Sequence, residues 1–357
     1  MMLNVSMVGC GGMAAHYLAV YRDLDWVRVV SCVDTNTENA RRAAEVLGCA
    51  PGGDFAAALA PEVDVVVIST PNSEHRAQAI AAIEAGKHVL LQKPVAARLA
   101  DAEDIAAAAE KSSRTVGLYM SYFDQPLIHD LRDMARSGWL GDLVHCYARL
   151  MHKGGMMWSD EAQAGRPTWR GTIEGTGGGC FIQLAVHYIH IFEWISGARV
   201  VRASGFTRNL HCPGLEGEDL ACAVLSMDSG AMITLDTAWC AHGEELAAFG
   251  TLGRFEYRNN LRLALASSAG PFEGRIARYA GGTAAAFGGP QGEEWLSEVT
   301  PPPFGDITNP LNQHRAFLEA ARDGMPAPVS IASGVRDMRI VAAVYESART
   351  CRAVEVV

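Results

Sequence analysis

The sequence predicts an α/β chain: a parallel, helix-flanked sheet in the first third, followed by an α/β region with a large open, mostly antiparallel sheet. Three observations predict it. Short aliphatic strands alternate with helix-length segments up to about Met120, the pattern of right-handed crossovers between parallel strands. After Tyr122 this alternation stops, and β-like stretches follow one another with a hairpin connection at Asp228-Ser229-Gly230. The first strand runs directly into Gly9-Cys10-Gly11-Gly12-Met13-Ala14, a glycine-rich turn that opens a helix.

Taken in order, residues 5–8 form a buried strand, 13–21 a helix and 27–33 a second strand ending at Asp34. Helix 37–47 follows, then the uninterrupted apolar run 63–69, which reads as a strand covered on both faces. Helix 77–85, strand 88–92, an alanine-rich helix around 101–111 and strand 115–120 complete the first sheet. Beyond it, helix 124–137 leads to a turn and long strand within 138–153, and residues 200–207, 220–227, 231–238 and 245–250 supply further strands. Residues 268–303 read as an irregular insertion rich in glycine and proline. Helices 311–321 and 334–350, joined by a loop, close the chain. The expected domains are 1–123, 124–330 and a closing helix and tail at 331–357.

The totals exclude several classes. A chain of 357 residues with 49% hydrophobic and 20% charged residues is an ordinary globular protein. Its net charge of -10 opposes a general nucleic-acid or anionic-membrane surface, which rewards clustered Lys and Arg. No leader pattern precedes the first strand, and the longest apolar run falls far short of the ~20 residues of a membrane helix. The 9 cysteines form no CxxC pair and no dense framework, so the expectation is buried thiols in a reducing, cytoplasmic setting.

The glycine-rich turn carries the first functional reading. Gly9 permits a tight turn, Gly11 lets a diphosphate approach the backbone and Ala14 keeps the helix close to the sheet, with Gly12 and Met13 counted beside them as cofactor-binding residues. The helix start offers unpaired N–H groups to an anion. Asp34 follows Ala14 by about 20 residues at the end of the next strand, where a carboxylate hydrogen-bonds ribose hydroxyls. Its charge repels a 2'-phosphate, so a Rossmann domain binding NAD is expected, with NADP the second choice. Arg41 and Arg42 sit inside the following helix, a poor place from which to answer a phosphate. Two more strand ends belong to this side. Thr70 and Asn72 can hydrogen-bond the dinucleotide, with Pro71 setting the turn and His75 in the same loop, although polar residues here also initiate a helix. Gln92-Lys93-Pro94 ends the next strand; a lysine beside the nicotinamide can orient a substrate hydroxyl and stabilise alkoxide charge, and the alternative is a solvated loop lysine.

With these motifs, with Gly177-Gly178-Gly179 leading to His187, and with the stretch 340–357, the chain resembles the glucose-fructose oxidoreductase, inositol dehydrogenase and rhizopine-catabolism oxidoreductase family over nearly its whole length. The resemblance implies a Rossmann domain, a second α/β domain whose open sheet is a homo-oligomer contact, and a homodimer or homotetramer. It places Lys93 at the family's catalytic lysine, in a motif that is Gln92-Lys93-Pro94 instead of Glu-Lys-Pro. It also implies an acid at position 183, histidine at 187 and an acid at 190. This chain has Gln183, His187 and His190, so only the histidine is kept. A regular helix over 182–194 puts the three on one face, with His187 as the acid/base and Gln183 and His190 as orienting or titrating neighbours.

Substrate-contacting candidates lie in the second domain. Residues 149–158 and 166–170 read as loops in which Trp158 and Trp169 offer flat faces to a polyhydroxylated ring and His152, Arg149 and Arg170 offer donors. Either arginine can instead recognise a carboxylate, or face water. Tyr119 and Tyr122 are expected to close the cavity or to pack the domain junction. The histidine segments lack an HExxH arrangement, so no metal is expected. The expected reaction is NAD-dependent oxidation of a secondary alcohol on a sugar, sugar derivative or cyclitol. The alternatives are redox-assisted elimination or glycoside cleavage with NAD recycled, and a nonenzymatic dinucleotide-binding regulator.

Overall fold

A computed structural model describes residues 2–166, 168–258, 262–269, 272, 283–286, 293–297 and 312–357. The chain divides into two compact units. The first holds Met1–Asp124, Glu174–Gly177 and Pro302–Met338, and the second Gln125–Ile173, Gly178–Pro301 and Arg339–Val357. The first boundary falls where the strand–helix alternation stops. The remainder differs from a simple three-block chain, because later segments return to the first unit.

In the first unit, strands β1 (Leu3–Val8), β2 (Val27–Val33), β3 (Ala50–Gly52), β4 (Val65–Ile68), β5 (His88–Gln92) and β6 (Val116–Tyr119) form one sheet. Its order is β3-β2-β1-β4-β5-β6, and every pair is parallel. Helices α1 (Gly12–Ala15), α2 (Leu18–Asp23), α3 (Thr37–Leu47), α4 (His75–Glu84) and α5 (Leu99–Glu110) make the crossovers. β4 and β5 are buried at every position, as expected for strands covered on both faces. The core joins Val5, Met7, Val29, Val65, Val67 and Leu90 to Phe317 and Leu318.

The single helix expected over 13–21 is broken in two. Tyr17, between α1 and α2, turns inward and is 1% exposed, with its hydroxyl on Ser69. Its ring lies 4.1 Å from that of His314, which is also 4.1 Å from Tyr119. His314 belongs to a helix nearly 300 residues away, so local periodicity has no way to register the break. Tyr119 is correspondingly a core residue, 3% exposed, rather than a cavity wall. The side chain of Tyr122 lies outside the described residues.

The second unit contains α6 (Pro126–Arg136), β7 (Leu143–Met151) and α7 (Gly154–Gln163). The single turn α8 (Ile173–Thr176) follows in the chain, with all but its first residue counted in the first unit, and then, back in the second unit, a π-helical turn (Phe181–Ala185) runs into α9 (Val186–Ser196). Strands β8 (Val200–Arg208), β9 (Leu220–Met227), β10 (Met232–Ala238), β11 (Gly243–Gly250), β12 (Gly253–Arg258), β13 (Arg262–Ser267), β14 (Thr283–Ala286), β15 (Glu293–Ser297) and β16 (Val354–Glu355) complete its sheet. The order is β14-β15-β13-β12-β11-β7-β10-β9-β8-β16, antiparallel except at the parallel β10/β7 pair. Asp228-Ser229-Gly230 makes the β9–β10 hairpin as read. Two expectations change: residues 268–303 contain the strands β14 and β15, and α7 begins directly after β7 where a loop was expected. Helices α10 (Gln313–Asp323) and α11 (Ile331–Thr350) end the chain's helical part. Among the described residues no helix is long and apolar enough to cross a membrane.

The cluster around His314 sets a pH signature. Its Nδ1 takes the Tyr21 hydroxyl at 2.7 Å, and burial drops its pKa to about 3. Asp124 accepts the Gln313 N–H at 2.8 Å, and burial raises its carboxyl to about 7. The signs oppose each other. The unfolded chain protonates histidine near 6.5 while native His314 stays neutral, so stability is lost as pH falls through that window. Native Asp124 holds a proton that the unfolded chain releases near 3.8, so stability is gained as pH falls from about 7. Asp124→Asn removes only the second effect. Relative to wild type it should be most stable above about pH 7 and lose ground toward about pH 4.5, by at most ~1.4 kcal/mol per pH unit. Urea unfolding at several pH values measures this; a difference independent of pH would refute it.

Candidate active site

The dinucleotide side is built at the carboxyl ends of β1, β2, β4 and β5, where parallel sheets bind ligands. Gly9 has φ +82°, and a Cβ there would lie 2.6 Å from the Ser69 carbonyl carbon, so both backbone and space demand glycine. Gly11 and Gly12 differ: a Cβ on either meets nothing within 4 Å. Gly11 is extended (φ -76°, ψ -159°), so neither packing nor backbone within this chain requires glycine there. Open space over two glycines at a helix start is what a closely approaching diphosphate needs, and the turn fits a dinucleotide on that ground. Met13 is half-buried and Ala14 is fully buried beneath the turn.

Asp34 ties this turn to β2. Its carboxylate accepts the Cys10 N–H and the Asn36 N–H, each at 2.8 Å. Arg41 is engaged by Glu38 and Glu45, and Arg42 by Asn39. The other predicted side chains on this half brace loops. Thr70 donates its hydroxyl to Gln78 at 2.7 Å, and Asn72, 3% exposed, donates to the Thr176 carbonyl at 2.9 Å. His75 is wholly buried between the carbonyls of Thr70 (3.0 Å), Pro94 (3.1 Å) and Val95 (3.2 Å), and burial lowers its pKa. It clamps two ligand-facing loops together; with no exposed surface, it does not contact a dinucleotide as expected. Gln92 accepts the Lys93 N–H at 2.8 Å, which fixes its amide orientation because an N–H needs the oxygen. Lys93 is half-buried at the strand end, and Pro94 is buried behind it.

The second unit presents the histidine helix. The run before it is dictated by close approach: a Cβ on Gly178 would strike the Tyr345 hydroxyl, and one on Gly179 would strike the Glu218 backbone. Glu218 was not singled out from sequence, yet it organises this region. Its carboxylate accepts the N–H groups of Gly179 (2.9 Å) and Phe181 (2.8 Å) and the Tyr345 hydroxyl (2.9 Å). The two N–H groups are orphan donors at a helix start, satisfied by a side chain from the loop before β9. Burial raises the Glu218 pKa, and the three donors pull it back. The helix also departs from the regular one expected over 182–194. Its first turn is π-helical, so an α-helical wheel does not set the azimuth of half-buried Gln183, whereas His187 (3% exposed) and His190 (7%) keep i,i+3 spacing in α9. π-turns of this kind recur at functional sites.

The two predicted arginines part company. Arg149 lies on the open face of the sheet, bonded to Asp236 at 3.1 Å and facing Glu245 at 3.7 Å, which makes it part of a charge network rather than a substrate loop. Arg170 instead lies over the indoles of Trp169 (4.3 Å) and Trp158 (5.1 Å). Trp158 packs edge-on against Trp239 at 5.1 Å and against His152 at 6.1 Å, and His152 accepts the Gly154 N–H at 3.0 Å. Among the described residues no group of three or more His, Cys, Asp or Glu side chains is arranged to hold a metal ion.

These features define a dinucleotide-binding α/β oxidoreductase architecture. Residues 3–120 match the oxidoreductase family with an NAD-binding Rossmann fold, and residues 128–256 match the GFO/IDH/MocA C-terminal domain; the chain belongs to this family. It is 25% identical to the D-apiose dehydrogenase of Paraburkholderia graminis, over 98% of this chain and 88% of that one. It is 31% identical to the inositol 2-dehydrogenase 1 of Saccharopolyspora erythraea, over 57% of each. The fold superposes on a levoglucosan dehydrogenase solved with NADH with a TM-score of 0.84 at 19% identity, covering 100% of both chains.

Two substitutions test this construction. Gly11→Val should leave thermal stability close to wild type, since its side chain meets only open space, yet weaken dinucleotide binding at least ~10-fold, read by calorimetry; unchanged affinity would remove the diphosphate from this turn. Glu218→Ala should destabilise the chain by about 2–4 kcal/mol in urea unfolding, because buried N–H groups lose their acceptor. A loss under ~0.5 kcal/mol would show that Glu218 is not the cap that holds the helix start.

Proposed function

We propose that this protein is an NAD-dependent dehydrogenase that oxidises a secondary alcohol on a sugar, sugar derivative or cyclitol to a ketone. The observation that carries the reading is a lysine at the carboxyl end of β5, held by Gln92 through its own N–H, in the sheet whose first turn leaves open space over Gly11 and Gly12. Relatives named as D-apiose, inositol 2- and D-glucoside 3-dehydrogenases support the substrate class.

Gly9, Gly11, Gly12, Met13 and Ala14 would hold the diphosphate, with Asp34 on the adenine ribose and the loops at Thr70, Asn72 and Gln92-Lys93-Pro94 along the remainder. When bound, the nicotinamide would supply the hydride acceptor for oxidation at the carbinol carbon. Asp34 favours NAD: two N–H groups hold its carboxylate in place, its remaining lone pairs suit ribose hydroxyls, and its charge opposes a 2'-phosphate. Lys93 Nζ orients the substrate oxygen and stabilises its developing negative charge. His187 takes the hydroxyl proton. Gln183 and His190 orient the ring or substrate; Gln183 itself cannot accept a proton at neutral pH. The absence of an acid at Gln92 and Gln183 favours a second reading, transient oxidation followed by elimination with the nicotinamide restored. Product mass measured against NADH distinguishes the two.

The same reading includes assembly through the open face of the second sheet into a homodimer or homotetramer. Phe206 is 63% exposed there, with Met232 46% and Val224 40% exposed on neighbouring strands. The nine free cysteines suit a cytoplasmic location.

Lys93→Ala and His187→Ala should each keep NAD binding and lose about 10²–10⁴-fold in kcat across a panel of sugars and cyclitols. Near-wild-type turnover in either would strip that residue of its role. Asp34→Ala should narrow the preference for NAD over NADP, and an unchanged ratio would reject its part in discrimination.

A further inference from the structure

Arg170 is a cation held in place without a counterion. Its guanidinium lies over Trp169 and Trp158, and the residue is half-buried. Among the described residues it makes no hydrogen bond or ion pair, in contrast to Arg149, which Asp236 and Glu245 occupy. Burial lowers its pKa, the mark of a charge deprived of water. A desolvated, uncompensated guanidinium is costly, and stacking on indoles recovers only part of that cost. Ring faces attract the cation but accept none of its N–H groups in a strong hydrogen bond, so those donors remain for a ligand. The surroundings are also short of acceptors: the Trp239 indole N–H and the Thr168 hydroxyl are buried without partners among the described residues.

The position connects this cluster to the histidine helix within the second unit. Trp239, which supports Trp158, follows β10, and two residues earlier Thr237 touches Cys180 just before the π-turn. The residue after Arg170, Gly171, accepts the Glu216 N–H at 2.9 Å, and two residues on is Glu218, which caps the helix start. One strand end and one loop thus hold both the guanidinium and the beginning of the helix that carries His187.

We propose that Arg170 is the specificity-determining residue of the substrate site and that the substrate is a carboxylate-bearing polyol, a sugar acid, whose carboxylate it binds edge-on. A guanidinium edge with two parallel N–H groups matches a planar carboxylate. The indoles that align the guanidinium present apolar faces to the substrate's C–H groups. The inference rests on the oxidoreductase reading given above and narrows its substrate class.

The test uses the full chain loaded with NAD and three matched probes: D-glucose, D-glucuronate and D-glucose 6-phosphate, with D-galactose and D-galacturonate as a second pair. Tryptophan fluorescence reports binding, because Trp158 and Trp169 flank the guanidinium, and NADH formation reports turnover. Uronates are expected to bind and react in preference to the neutral hexoses and the phosphate. Arg170→Gln should lower the uronate-to-hexose ratio of kcat/KM and of affinity about 100-fold. Arg170→Lys, which keeps the charge but not the fork, should fall between, and it serves if the glutamine variant fails to fold by circular dichroism. Equal binding of hexose and uronate, preference for the phosphate, no binding of any probe, or a ratio unmoved by both variants would overturn the proposal. Arg170-dependent uronate binding without NADH or an altered product would leave this inference standing and reject the dehydrogenase reading. NADH formation from hexoses with no uronate preference would do the reverse.

Discussion

The hydrogen bond from the Cys10 N–H to the Asp34 carboxylate, 2.8 Å long, closes the turn on which the dinucleotide side depends. Strands end where ladder hydrogen bonding ends, and the backbone groups beyond them still require partners. In this protein single polar side chains supply those partners at each functional loop. Asp34 holds the glycine turn, His75 joins the loops after β4 and β5, Asn72 takes the Thr176 carbonyl, and Glu218 collects the N–H groups that open the histidine helix. Since a buried donor or acceptor left unpaired costs about 1–3 kcal/mol, each of these loops has one arrangement far more stable than its neighbours.

That constraint also separates residues that make a site from residues that face a ligand. His75 lies in a motif of the cofactor half and Tyr119 was expected to close the cavity or pack the domain junction, but burial commits both to structure. Arg149 and Arg170 look interchangeable in the chain, and their partners distinguish them. One is neutralised by carboxylates on a sheet face; the other rests on two indoles. A charge already neutralised has little to offer a substrate, whereas a charge resting on aromatic rings keeps its hydrogen-bond donors.

Gln92 and Gln183 stand where the resemblance implies acids, and the local structure treats the two differently. Gln92 retains an oxygen for the Lys93 N–H, so the backbone of the lysine is anchored without a negative charge beside it. Gln183 falls in the π-helical turn, ahead of the regular helix that carries His187 and His190. In the proposed reaction proton transfer therefore falls to histidine on this half of the protein, since an amide at position 183 does not take up a proton at neutral pH.

Local patterns in the sequence determined the parallel sheet, its glycine turn, the Asp34 position, the β9–β10 hairpin and the helical character around His187. Each is encoded within one or two elements: continuous aliphatic runs, a glycine spacing, a carboxylate at a strand end. Only the tertiary structure decided the break at Tyr17, the burial of His75 and Tyr119, the capping by Glu218, the return of late segments to the first unit, and the difference between the two arginines. These features depend on partners remote in sequence, His314 for Tyr17, Glu218 and Tyr345 for the glycine run, Asp236 for Arg149. Hydrophobic periodicity reports which face of an element is apolar. It carries no information on which distant polar group will satisfy a given N–H, carbonyl or charge, and in this protein that pairing decides which residues remain available for chemistry.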